Sequence, residues 1–271
     1  MKKYFQIQIE TRSPNEAEIL IAALSEIQFY AFDGNENFLN AYVKEEDFDE
    51  VKLKEILPAN SSFKKYIIEE ENWNQKWESG IKPVIVNDFV AIRPVFAQPI
   101  NNVKHDLIIT PKMSFGTGHH ATTFLMIQMM EKMDFNDKSV IDFGTGTGVL
   151  AILAEKCGAS RVTAVDNDEW SIQNARENIA ANNCHHIILK KQSNPEGVGT
   201  ADILLANINL NVLKHEVSSL SSATKSGSFL LASGFLVSDE NEIQNNFEKW
   251  GFVKYKSEQL DGWLAILFKR N

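Results

Sequence analysis

The chain has 271 residues, 44% of them hydrophobic, enough for a sizeable core in one large or two modest domains. Its formal charge of −9 argues against broad nucleic-acid binding, which relies on basic surface; it would suit a basic protein substrate, and ordinary solubility accounts for it equally. No apolar run approaches the roughly 18 residues of a membrane span, and Cys157 and Cys184 stand outside any metal-ligand spacing, so no metal is expected and the chain reads as a cytoplasmic monomer with reduced thiols.

Phe5, Ile7 and Ile9 alternate with Gln6, Gln8 and Glu10, a half-buried strand without a secretory apolar block. Ser13-Pro14-Asn15-Glu16 offers an N-cap, a proline at the first helical position and a capping-box glutamate. Leu20, Leu24 and Ile27 give that helix its buried stripe. Residues 29–32 and 38–43 flank Asp33-Gly34-Asn35, a hairpin signal. Residues 47–57 place Phe48, Val51 and Leu57 at helical spacing, and residues 63–68 read as a strand. The order β-α-β-β-α-β is that of a small ferredoxin-like α+β domain over residues 1–68.

An acidic linker helix follows, with Trp73 and Trp77 on one face. A short hairpin over 84–86 and 90–93 closes a connecting segment, residues 69–93. Residues 94–271 then alternate strands (140–143, 161–165, 187–189, 202–205, 229–232) with helices (149–156, a helix carrying Trp170, Ile172, Ala175 and Ile179 behind an Asp168 cap, and 240–250). A hairpin around Leu260-Asp261-Gly262 ends the chain. This is the layout of a seven-stranded Rossmann-like sheet in an α/β domain.

The stretch Val140-Ile141-Asp142-Phe143-Gly144-Thr145-Gly146-Thr147-Gly148 is a buried strand, a glycine-dense turn and a helix start. About twenty residues on, Val162-Thr163-Ala164-Val165 ends at Asp166. Glycines let backbone pass close to a ligand, and an acid at the second strand's tip can accept two hydrogen bonds from a ribose diol. The spacing D-x-G-x-G-x-G resembles motif I of S-adenosylmethionine-dependent methyltransferases more than the G-x-G-x-x-G of dinucleotide folds. Upstream, Phe115-Gly116-Thr117-Gly118-His119-His120-Ala121-Thr122-Thr123 runs into an apolar helix. That places Thr122 or Thr123 in a first turn, where hydroxyls and free N–H groups can meet a carboxylate, or where they merely cap the helix. Phe115 fits either a place against the cofactor's sulfonium or loop packing. Downstream, Asn207 follows the fourth strand, where its amide carbonyl can face an incoming amine or satisfy a turn.

Together the Phe115–Thr123 run, the Trp73–Trp77 linker, the Asp142–Gly148 turn and the Asn207-Ile208 step resemble, in order, the bacterial ribosomal protein L-eleven methyltransferases. Thr110, Ser114 and the Lys191-Gln192-Ser193 run depart from the family pattern, which leaves the adenine contacts open. The resemblance implies S-adenosyl-L-methionine as cofactor. It implies Thr123 at the methionine end, Gly144 under the cofactor with Gly146 beside it, Asp166 on the ribose, and Asn207 between cofactor and substrate as the catalytic residue. It also implies methylation of lysine and N-terminal amines of that ribosomal protein, recognised by the small N-terminal domain. Rival readings are a methyltransferase acting on RNA or a small molecule, a nicotinamide oxidoreductase, and a binding protein without chemistry.

Overall fold

A computed structural model describes residues 3–11, 13–35, 37–58, 61–69, 82–110 and 118–271. Phe115 and the tryptophan-bearing linker fall outside the described residues. The chain divides into two compact units, Met1–Gly80 and Ile81–Asn271, so the 84–93 hairpin belongs to the second.

In the first unit, β1 (Lys3–Glu10), α1 (Pro14–Ser25), β2 (Ala31–Asn35), β3 (Phe38–Lys44), α2 (Glu50–Ile56) and β4 (Phe63–Glu69) follow in chain order. The strands form one antiparallel sheet, β2-β3-β1-β4. The odd residues of β1, Phe5, Ile7 and Ile9, are buried with Leu20, Leu24 and Leu53, as alternation and helical spacing dictate. Ser13 Oγ accepts from Glu16 N–H at 3.3 Å and starts α1.

Two local expectations need correction. Asp33, Gly34 and Asn35 are strand, and the chain reverses between Asn35 and its partner Phe38. Gly34 is a close-approach residue: a Cβ there would lie 2.2 Å from the Phe38 carbonyl oxygen. The second helix begins at Glu50, not 47, because Asp49 accepts from the N–H groups of Val51 and Lys52. That phase buries Leu53 and leaves Val51 68% exposed.

The second unit opens with a three-stranded sheet, β5 (Val84–Val86), β6 (Val90–Arg93) and β7 (His105–Ile108). Then come α3 (Ala121–Met130), β8 (Ser139–Phe143), α4 (Val149–Lys156), β9 (Arg161–Asp166), α5 (Glu169–Ala181), β10 (Ile187–Lys191), β11 (Ala201–Asn207), α6 (Leu210–His215), α7 (Val217–Ser222), β12 (Thr224–Leu236), α8 (Glu240–Glu248), β13 (Phe252–Leu260) and β14 (Trp263–Arg270). Strands β8 to β14 make one mixed sheet of order β10-β9-β8-β11-β12-β14-β13. Its first five members are parallel, β14 runs antiparallel to them, and β13, antiparallel to β14, runs in their direction again. Apolar clusters cover both faces, which explains why β8 and β11 read as continuous apolar runs. The closing hairpin turns at Asp261-Gly262, both at positive φ. Trp170, expected among the residues building α5, lies on its solvent side, 80% exposed, while Ile172 and Ala175 are buried. Strand order reverses between β8 and β11. In an open α/β sheet, the crevice beyond the carboxyl ends of the strands at such a switch point is where ligands bind.

Candidate functional site

A cavity of about 520 Å³ opens at that switch point, within the usual range of ligand pockets. Each strand end contributes: Phe143, Gly144 and Gly146 after β8, Asp166 and Asn167 after β9, Gln192 and Ser193 after β10, Asn207 and Ile208 after β11, and Gly234 within β12. His120, Thr122 and Trp263 line it as well.

The glycine turn is fastened to the end of β9. Val165 carbonyl accepts from Gly144 N–H at 2.8 Å and Thr145 N–H at 3.0 Å. Asp166 Oδ2 accepts from Gly146 N–H at 2.9 Å, and its Oδ1 from Asp168 N–H at 3.0 Å. The turn needs φ of +74° at Gly144 and +54° at Gly146, a region that side chains oppose. Asp166 therefore shapes the turn. An ionised carboxylate has about four acceptor positions, so two backbone bonds leave it room for a ligand diol.

Asp142, one turn beneath, is wholly buried. Thr145 Oγ1 donates to its Oδ2 at 2.6 Å. Burial pushes its carboxyl up to about 7; hydrogen bonding from the Thr145 hydroxyl and the Ala151 backbone N–H opposes the rise, and the charge of Asp166 adds to it.

Asn207 ends β11, 9% exposed. Its Nδ2 donates to Thr123 Oγ1 at 3.3 Å, and its Oδ1 is buried without a hydrogen-bond partner. An unmet buried acceptor costs about 1–3 kcal/mol, and a ligand N–H could satisfy it. Thr123 itself is 0% exposed and stands behind Asn207. Thr122, its neighbour in the first turn of α3, is the threonine on the cavity wall. His120 caps that helix, with Nδ1 accepting from Thr122 N–H at 3.3 Å and lying 2.8 Å from Thr122 Oγ1. Its ring meets Trp263 edge-to-face, centroids 4.7 Å apart.

Four residues singled out from the sequence, Gly144, Gly146, Asp166 and Asn207, thus share one cavity. Among the described residues, no group of three or more His, Cys, Asp or Glu could hold a metal, and no helix is long and apolar enough to cross a membrane.

A family model for ribosomal protein L11 methyltransferase matches residues 5–271. The chain belongs to this family. A relative of that name from Porphyromonas gingivalis is 36% identical over 289 residues, covering 98% of this chain and 97% of the relative. One from Bacteroides fragilis is 34% identical over 277 residues, covering 98% and 99%. A crystal structure of ribosomal protein L11 methylase from Lactobacillus delbrueckii subsp. bulgaricus matches with a TM-score of 0.66 and 27% identity, over 70% of this chain and 100% of that one. An α/β methyltransferase-like fold around a central mixed sheet follows.

Sequence reasoning had not placed Trp263, Ile208, Gly234 or Ser171 at the site. Two of them had readable signals. Asp261-Gly262 fixes a tight hairpin, which carries Trp263 to the sheet's carboxyl edge opposite Leu236. A glycine inside a strand marks a bulge or a close approach, and β12 shifts register between Ser233 and Phe235, around Gly234.

Proposed function

We propose that this chain transfers methyl groups from S-adenosyl-L-methionine to amine nitrogens, lysine side chains and the N-terminal amine, of ribosomal protein L11. One observation carries the reading: the open, buried carbonyl of Asn207 and the carboxylate of Asp166 line the same cavity at the switch point. Family membership names the target. The residues present suit the cofactor: a strand-tip acid for a ribose, a close-passing backbone at Gly144 and Gly146, and a polar rim at Asn167, Gln192 and Ser193. Thr123, through Asn207 or after a small shift, and Phe115 stand as candidates for its methionine end. When bound, the cofactor supplies a methyl group on a cationic sulfur.

The protein's part is alignment, desolvation and a neutral nucleophile. Asn207 Oδ1 accepts one N–H of the amine, which turns the lone pair toward the donor side of the cavity. Such alignment can contribute about 7–11 kcal/mol. A lysine near pKa 10.4 must lose its proton first, and partial burial favours the neutral form. The Trp263 ring offers a wall that tolerates the cationic product, an attraction of about 0.5–2 kcal/mol for a ring face. No side chain is required as general base. His120 Nδ1 is already committed to its own helix.

The small unit, with its β-α-β-β-α-β order and β2-β3-β1-β4 sheet, is read as a ferredoxin-like domain that recognises the protein target, and the second unit as the seven-stranded methyltransferase domain. We take the enzyme to act as a cytoplasmic monomer without direct nucleic-acid contact. Mass spectrometry of ribosomal protein L11 incubated with the chain and cofactor tests the reading. Additions of 14 Da on amines, in methylene steps, are expected. An unmodified protein beside methylated RNA would overturn it in favour of an RNA methyltransferase.

A further inference from the structure

Ile208 follows β11 between the glycine turn after β8 and the bulge of β12, and a side chain on either of its glycine neighbours, both at positive φ, would also collide with it. A Cβ built on Gly144 would lie 2.2 Å from Ile208 Cγ2. A Cβ built on Gly234 would lie 2.2 Å from the Ile208 carbonyl oxygen and 2.6 Å from its carbonyl carbon. Ile208 N–H donates to Ser233 carbonyl at 3.1 Å, one residue before the bulge. The side chain of Ile208 therefore presses on the glycine turn while its backbone presses on β12. Neither position has room for a Cβ unless Ile208 moves. Asn207, the residue with the open carbonyl, is its immediate neighbour in the chain. Gly144, at the cofactor side of the cavity, is its immediate neighbour in space.

We propose that Ile208 is a positioning residue that locks the amine-holding end of β11 to the cofactor-holding turn. Beyond their positive φ, the missing side chain of Gly144 leaves room for Ile208 Cγ2, and that of Gly234 leaves room for the Ile208 backbone. The separation between the Asn207 carbonyl and the methyl donor is then set by one aliphatic side chain. Loosening it lowers turnover while leaving much of the cofactor's grip, which comes from Asp166 and the turn. This rests on the reading of Asn207 as the amine-holding residue.

The test uses the full chain with Ile208→Ala, Ile208→Val, Gly144→Ala and the double variant Gly144→Ala/Ile208→Ala. Three quantities are read for each: the calorimetric Kd for S-adenosylmethionine, kcat and KM on ribosomal protein L11, and the thermal midpoint. Ile208→Ala should lower kcat at least tenfold while Kd changes less than threefold, and Ile208→Val, which keeps Cγ2, should recover most of kcat. Gly144→Ala should weaken S-adenosylmethionine and lower the midpoint in the native background. Both losses should shrink at least several-fold in the Ile208→Ala background. The strain of an alanine at positive φ is common to the two backgrounds and cancels in that comparison. Equal losses in both backgrounds would overturn the interlock, because Gly144 would then be small for the cofactor's sake. An unchanged kcat in Ile208→Ala would overturn the positioning role. If the native chain binds the cofactor and leaves the ribosomal protein unmodified, the substrate reading fails, and the Kd and melting comparisons still decide the interlock.

Discussion

Replacing Asp142 with Asn should remove a pH dependence from the stability of the fold. Asp142 is 1% exposed, accepts one side-chain bond from Thr145, and has its carboxyl pushed up to about 7 chiefly by burial. Between about pH 4 and 7 the folded chain holds a proton that the unfolded chain, at the ordinary 3.8, has released. Stability therefore falls as pH rises through that window and levels off above it. The whole displacement corresponds to about 4 kcal/mol at about 1.4 kcal/mol per pH unit. Somewhat more than half of it, about 2–3 kcal/mol, falls between pH 5 and 8. For a unit of this size about 1 kcal/mol moves Tm by roughly 2–4 °C. An amide at 142 keeps an acceptor for Thr145 and has nothing to titrate. Calorimetric melts of both proteins, without cofactor, at pH 5, 6, 7 and 8 should show Asp142→Asn gaining about 5–10 °C on the native chain across the series. Groups common to the two, His105 included, drop out of the difference. A Tm difference that stays constant from pH 5 to 8 would refute the assignment of a neutral-range proton to this carboxyl.

Asp166→Ala should weaken S-adenosylmethionine at least tenfold, about 1.4 kcal/mol, since both a ligand acceptor and the clasp on Gly146 are lost; an unchanged calorimetric Kd would remove Asp166 from the site. Asn207→Ala should cut kcat by more than it weakens the cofactor, and the opposite pattern in steady-state and calorimetric data would make Asn207 a cofactor-binding residue only. Trp263→Ala should raise KM for the ribosomal protein while Trp263→Phe keeps most of the native value. Equal effects of the two substitutions would mean that the ring does not serve as an aromatic wall. Deleting residues 1–68 should abolish methylation of the ribosomal protein while S-adenosylmethionine binding by calorimetry persists; full activity of the shortened chain would refute a recognition role for the small unit.

Much of the fold was legible because the relevant signals are local. Alternation at Phe5, Ile7 and Ile9, the Ser13-Pro14 start and the Asp261-Gly262 turn each depend on a few neighbouring residues, and each appears where its pattern places it. The errors came where a local signal had two meanings. Gly34 in an Asp-Gly-Asn run reads as a turn, yet it serves a close approach within β2. Asp47 and Asp49 are both plausible caps, and only the bonds to Val51 and Lys52 decide between them. Strand β7 and helices α6 and α7 are four to six residues each, too short for periodicity to declare them. The site divides in the same way. Gly144, Gly146, Asp166 and Asn207 are tied to strand ends and follow from topology. Trp263 and Gly234 carry local signals of a turn and of a bulge, but their meeting at the cavity follows only from the antiparallel pairing of β12 with β14, over a sequence distance that no local window spans.

The two sides of the cavity are in different states of completion, and this bears on how the reaction is set up. On the ribose side the backbone is already finished: three N–H groups of the glycine turn are spent on Val165 and Asp166, so ligand binding need not reorganise them. On the side proposed to take the amine, the carbonyl oxygen of Asn207 has no hydrogen-bond partner within the protein and can accept a substrate N–H. On the proposed reading, such a site would hold its cofactor by a preformed shape and favour the nucleophile only on arrival. The reward also changes with each methyl added. A primary amine offers two N–H groups, its monomethyl product one, and a neutral dimethylamine none. A third transfer to one nitrogen, where it occurs, would draw nothing from Asn207 and would rely on the Trp263 ring and on confinement. Asn207→Ala should accordingly slow the first two methylations more than the third, and time-resolved mass spectra of the ribosomal protein would show monomethyl and unmodified species persisting. A uniform slowing of all three steps would place Asn207 on the cofactor instead of the amine.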